Sequence, residues 1–272
     1  GLVNSGLMSF QSSIGVIFGA NIGTTITAWF LSLVGVESES FLIQMVKPQN
    51  FAPILAIIGI AFMMMSKNDK KKIIGTIFVG FTVLIYGMDI MSDSVAGLSE
   101  SPAFADLLLK FNNPLFGILI GAVVTAVIQS SSASVGILQA LSLTGAISYN
   151  MAFPIILGQN IGTCATGLVS CIGAGTGAKR VATCHALTNV IGSLVLMPIF
   201  LIANKFSGGY FDENFVTPAT IAVMHTVFNF ATVIILAPFT KFLAKLTEKL
   251  VKDKKATEDE KVKVVYLDER LF

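Results

Sequence analysis

Three stretches of this chain carry no Asp, Glu, Lys or Arg at all: Gly1 to Val36, the run between Lys110 and Lys179, and the run between Glu213 and Lys241. Uncharged runs of that length cannot all be enclosed by the core of a water-soluble domain this small. Charged residues make up only 12% of the 272 positions, about half the usual share for a soluble protein. A soluble enzyme and a nucleic-acid binder are both excluded, and the chain reads as an integral membrane protein. Cys164, Cys171 and Cys184 lie in apolar stretches without CxxC spacing, so they read as small packing residues rather than a metal site or disulfide framework. The first residue is Gly and no basic segment precedes the apolar run, so no signal peptide is visible and the natural chain is expected to start earlier.

Windows of about 20 apolar residues place spans at Ser12–Val34, Gln49–Met65, Ile73–Met91, Met151–Gly173, Val181–Ala203 and Pro218–Leu243. The stretch Pro114–Ser148 is too long for one crossing: 35 residues of helix reach about 50 Å, against a hydrocarbon core near 30 Å. Its centre, Gln129-Ser130-Ser131-Ser132, would cost several kcal/mol if it faced lipid unpaired. Two short helices meeting at a polar tip satisfy both constraints, provided protein or a watery cavity surrounds the tip. Loop charges agree. Lys67, Lys70, Lys71 and Lys72, then Lys179 and Arg180, then the tail from Lys241 mark cytoplasmic segments, and the loops between them carry Glu37, Glu39, Asp93, Glu100, Asp106, Asp212 and Glu213. That alternation requires Pro114–Ser148 to enter and leave on the same, outer side. Lys241, Lys245 and Lys249 at i, i+4 spacing extend the last helix into the cytoplasm.

A shift of 139 residues aligns Gly6, Ser9, Gly19, Asn21, Ile22, Gly23, Thr24 and Thr27 with Gly145, Ser148, Gly158, Asn160, Ile161, Gly162, Thr163 and Thr166. The topology runs the first copy outward and the second inward, so the copies are inverted, the arrangement of secondary transporters with a site at the midplane. The expected fold is all-α: a polytopic membrane protein with inverted repeats, broken helices and a re-entrant helical hairpin. Residues 1–113 hold the remainder of the first repeat and connecting helices, 114–243 the second repeat, and 244–272 a charged connector. The first copy's hairpin would precede Gly1. A weaker echo at a shift of 40 pairs His185 and Asn189 with His225 and Asn229, each pair on one helix face, which reads as interhelical hydrogen bonding.

The motif residues suggest a site. Gln129 to Ser132 offers an amide and three hydroxyls ahead of a half-helix starting near Ala133, and a helix N-terminus suits an anion. Asn21, Thr24, Thr25, Asn160 and Thr163 stand at two matching motifs, expected as broken helices, while Gly15, Gly19 and Gly23 form a small-residue face for close packing. Neither motif contains Arg or Lys, so a bound anion needs a companion cation, and carbonyl, hydroxyl and amide oxygens suit Na⁺. Asp89 reads as an interface residue.

These motifs, with the paired His-x-x-x-Asn helices and the closing Tyr266-Leu267-Asp268-Glu269-Arg270-Leu271, resemble the type II sodium–phosphate cotransporter family in its bacterial form. The resemblance implies Na⁺-coupled import of inorganic phosphate by alternating access. Phosphate would meet Ser130, Ser131, Ser132, Thr24, Thr25 and Thr163, and Na⁺ would meet Gln129, Ser130, Asn21, Asn160 and Thr163. It further implies a multi-pass protein of the cell inner membrane with a cytoplasmic C-terminal tail leading to a PhoU-like domain. A homodimer is the candidate assembly, with no enzymatic activity and no nucleic-acid partner. Cys164 departs from the repeat, standing where the first copy has Thr25. A phosphate-responsive regulator without net flux and a sodium-independent anion channel are the rival readings.

Overall fold

The computed structural model describes residues 2–33, 47–96 and 113–252, and every element in it is helical apart from one isolated β-bridge. The expectations that rest on Glu37, Glu39, Glu100, Asp106 and the Tyr266–Leu271 motif fall outside these residues. Among the described residues, six helical segments are long and apolar enough to cross a membrane: Phe10–Ser32, Pro48–Met65, Asp69–Met91, Tyr149–Ser170, Thr176–Phe206 and Pro218–Leu250. Each coincides with a span expected from the sequence. The chain is an all-α, multi-pass membrane protein.

In chain order the helices are α1 (Phe10–Ser32), α2 (Pro48–Met65), α3 (Asp69–Ala96), α4 (Pro114–Ile128), α5 (Ser131–Ser142), α6 (Tyr149–Ser170), α7 (Thr176–Phe206), the single turn α8 (Tyr210–Glu213), α9 (Pro218–Leu236) and α10 (Thr240–Leu250). Helix α6 is central: 56% of its most apolar window is buried, against 17% for the peripheral α2. Its Met151, Ile156 and Leu157 pack with Val135 and Leu138 of α5, Met197 of α7, and Ile221 and Phe228 of α9. A second cluster joins Ile14, Ile17 and Phe18 of α1 to Cys184, Leu236, Leu243 and Ala244. The α2–α3 pair attaches through Ile85 and Met88 to Leu31 and Ala140.

The uncharged 114–148 stretch folds as the expected hairpin. At 15 and 12 residues, α4 and α5 are each shorter than the ~20 needed to span. Helix α4 lies parallel to α6 at backbone contact: Gly117 faces Pro154, Gly121 faces Ile155, Gly158 faces Ile118 and Ala122, and Gly162 faces Ala122 and Thr125. Helix α5 then returns, and the chain re-enters α6 beside the start of α9, where Val216 N–H donates to the Ile147 carbonyl (2.8 Å). Entry and exit therefore share the side on which α6 begins.

The repeat extends to backbone detail. Gly6 and Gly145 are both left-handed (φ 77° and 69°), Ser9 and Ser148 are both N-caps, and the helices that follow run 23 and 22 residues. Thr24 and Ala28 of α1 meet Ser131 and Gln139 of α5 in the same order, so α1 parallels α5 and opposes α6. The two copies are inverted.

Two expectations need correction. The Gly-x-Asn-Ile-Gly-Thr motifs do not break their helices: α1 and α6 run through them. The breaks are at Gln129–Ser130 and at the 3₁₀ turn Ala237–Phe239 between α9 and α10. The glycine face of α1 is also open, since a Cβ at Gly15, Gly19 or Gly23 would meet nothing within 4 Å. Their second-copy equivalents Gly158 and Gly162 are filled by α4, and no described helix takes that place on α1.

Gly158→Ala drives a methyl into the Ile118 carbonyl and Ala122 amide, which are backbone atoms and cannot swing aside. It should cost about 1–3 kcal/mol and lower the melting temperature in detergent. Gly80→Ala, with open space around it, should not lower it.

Candidate functional site

The hairpin tip is built by capping. Gln129 ends α4 in the left-handed region (φ 57°), the one non-glycine residue with positive φ among the described residues, and its N–H returns to the Thr125 carbonyl (2.8 Å). Ser130 caps α5, its Oγ accepting from Ala133 N–H (3.2 Å). The half-helix thus starts at Ser131, two residues before the expected Ala133. The first-turn N–H groups of Ser131 and Ser132 have no intrahelical acceptor, as in any helix. Gln129 is exposed, and Ser130, Ser131 and Ser132 are half-buried.

Behind the tip the polar groups are tightly tied. Thr125 Oγ1 donates to Ser134 Oγ (2.7 Å), and Gln159 Nε2 donates to the Ser134 carbonyl (2.8 Å). The Oε1 of Gln159 is buried without a partner among the described residues. Gln139 spends its amide nitrogen on the Ala28 and Pro218 carbonyls (2.9 and 3.0 Å), pinning α5 to α1 and α9. Neither glutamine was singled out by the sequence. The only signal was an amide inside an apolar helix, and in Gln159's case its replacement of Ala20 in the repeat.

Of the residues expected at the site, Thr24 reaches the tip, its Oγ1 lying 3.3 Å from Ser131 Oγ. Thr25 Oγ1 is turned back onto the Ile22 carbonyl (2.7 Å), and Thr163 Oγ1 onto the Gln159 carbonyl (2.9 Å). Asn21 and Asn160 are buried around Asn189 instead of facing Gln129. Asn21 Nδ2 donates to Asn189 Oδ1 (2.7 Å), and Asn189 Nδ2 donates to the Asn160 carbonyl (2.8 Å). His185 Nε2 lies 3.1 Å from Asn21 Oδ1 and donates to it, because that carbonyl oxygen can only accept. Asn160 Nδ2 stays on its own helix, at the Ile156 carbonyl. The His185–Asn189 pair therefore makes the interhelical bonds the sequence suggested, while Asn229 Nδ2 bonds only the His225 carbonyl one turn back.

Cys164 accepts from Asn189 Nδ2 (3.2 Å) and Cys171 Sγ donates to the Ala178 carbonyl (3.2 Å); all three cysteines are free. Among the described residues no group of three His, Cys, Asp or Glu could hold a metal ion. Asp89 Oδ1 accepts from Gln49 Nε2 (3.1 Å), joining α3 to α2.

Inverted copies, a short hairpin inserted beside the second copy, and hydroxyls gathered where the hairpin turns define a membrane transporter of the inverted-repeat class. The chain belongs to the Na⁺/Pi-cotransporter family, which it matches over residues 1–93 and again over 83–208. That family is one of transporters, not enzymes. Among its relatives, the uncharacterized YqeW of Bacillus subtilis is 30% identical over 253 residues, covering 92% of this chain and 76% of that one. YjbB of Salmonella typhimurium, whose name assigns it to inorganic phosphate export, is 23% identical over 91% of this chain and 43% of its own length. The human sodium-dependent phosphate transport protein 2B is 29% identical over 73% of this chain and 31% of its own. The chain thus spans less than half the length of these last two. No solved structure matches the chain.

Asn189→Leu removes the amide that joins the two copies and strands Asn21 Nδ2, while the Asn160 carbonyl keeps its acceptor role within α6. It should cost about 1–2 kcal/mol. An unchanged thermal melt in detergent would mean that the bridge contributes nothing.

Proposed function

We propose that this protein carries inorganic phosphate across the membrane in company with Na⁺, at a site between the hairpin tip and α1. The observation that carries the reading is the 3.3 Å approach of Thr24, from the first copy's motif, to Ser131, from the second copy's hairpin. A site lying between inverted copies is the place where a rocking or sliding motion exchanges access between the two faces. Ser130, Ser131, Ser132 and Thr24 supply hydroxyls to phosphate oxygens, with the first-turn N–H groups of α5 adding to the same pole. Thr25 and Thr163 join them once their hydroxyls leave the helix carbonyls they now satisfy.

The need for Na⁺ follows from charge. No Lys or Arg stands in either motif, and an anion held by neutral donors alone in a low-dielectric site is poorly compensated. A co-transported cation supplies the missing charge. Oxygen donors near the tip include Gln129 and the hydroxyl of Ser130, with Thr163 on the facing helix. Asn21 and Asn160 act through the Asn189 bridge that joins the two copies. Family membership and the names of the mammalian relatives support sodium coupling. The name of YjbB favours a second reading for direction, export in place of import.

Radiolabelled phosphate flux in proteoliposomes carrying the full-length protein tests both. Accumulation driven by an inward Na⁺ gradient establishes symport, and efflux against a phosphate gradient establishes export. Equilibration indifferent to Na⁺ would sink the coupling and leave a channel. Ser131→Ala should weaken phosphate about tenfold, the loss of one hydrogen bond to a charged group. Unchanged affinity would move the site elsewhere.

A further inference from the structure

At the end of the molecule where α6 gives way to α7, a cavity of about 600 Å³ is lined by Lys179 and Thr183 of α7, Lys252 beyond α10, and Leu168, Ile172 and Leu250. Its parts are held in register by two bonds. Arg180 Nε donates to the Val251 carbonyl (3.1 Å), tying the residue that caps α10 to the N-terminal part of α7, and Cys171 Sγ fastens the loop to the Ala178 carbonyl. Lys179 and Thr183 are four residues apart on one helix face, so both look into the same space.

The lining has two halves. One is cationic: two ammonium groups, neither meeting a carboxylate among the described residues, and Glu248, the acid of α10, is not part of the wall. The other is apolar and open, with Ile172 81% and Leu250 59% exposed. An apolar wall left open beside two cations is out of place against water and well placed at a bilayer surface. Loop charge puts this end of the helices on the cytoplasmic side, at headgroup depth. Basic recesses between helices on that side recognise lipid headgroups.

We propose that this cavity binds an anionic phospholipid, its phosphate between Lys179, Lys252 and the Thr183 hydroxyl and its acyl chain along Leu168, Ile172 and Leu250. The shared chemistry is a phosphate group, and the apolar wall selects the lipid over the free ion. The inference does not depend on the transport reading. Phosphate flux can fail with the lipid site intact, and the reverse.

Native mass spectrometry of the full-length protein in detergent, with added phosphatidylglycerol, phosphatidylcholine or inorganic phosphate, is the test. Phosphatidylglycerol should be retained in preference to the other two. Each lysine changed to glutamine (Lys179→Gln, Lys252→Gln) should weaken its retention about fivefold, and Lys→Arg at both positions should keep it. Should the double variant misfold, Lys252→Gln alone carries the test, because that exposed residue lies beyond the last helix. Three results would overturn the proposal: phosphatidylglycerol kept undiminished by the glutamine variants, equal retention of phosphatidylcholine, or inorganic phosphate displacing the lipid at equal concentration.

Discussion

Helix α4 rests on α6 at backbone contact, and the placement of every polar group at the hairpin tip depends on that approach. In hydrocarbon a loop with free N–H and C=O groups is tolerated only when protein surrounds it. Gly117, Gly121, Gly158 and Gly162 let the two helices close to a distance that no Cβ would permit. At that distance Thr125 can reach Ser134, and Gln159 can reach the Ser134 carbonyl, so the return helix is held from two sides. Gln139 then carries the constraint outward to α1 and α9. A polar turn inside an uncharged stretch is thereby turned into a fixed platform, with Thr24 of the opposing copy set against it.

The joint between the copies is of another kind. Asn189 gives its oxygen to one copy's asparagine side chain and its nitrogen to the other copy's main chain. The equivalent asparagines are thus used unequally, one through its amide and one through its carbonyl. An inverted repeat is symmetric only in its backbone. A single bridging residue from outside the motif must treat the two sides differently, and Gln159 standing opposite Ala20, like Cys164 opposite Thr25, belongs to the same asymmetry.

Much of this architecture was legible in the sequence because the bilayer imposes it. Span positions, the hairpin and the inversion follow from where charge is forbidden and where Lys and Arg collect. Local features that repeat, such as Gly6 with Gly145 and Ser9 with Ser148, were visible as identities before they had a conformation. What could not be read was the spending of individual hydrogen bonds. Asn21 stands in a motif that suggests a ligand, yet both of its amide atoms are taken by α7, because His185 and Asn189 arrive there from 164 and 168 residues away. The glycines of α1 look like those of α6 in sequence, and only the neighbouring helix distinguishes a filled face from an open one.

Gln129 carries one further consequence. Glycine, or even asparagine, would adopt its left-handed backbone with less strain, and for other residues that conformation costs roughly 1–2 kcal/mol. Selection for fold stability alone would therefore drift toward Gly or Asn at this turn. A long amide there runs against what the fold prefers, so the residue found at this position gives a way to separate chains in which the tip works from those in which only the scaffold survives.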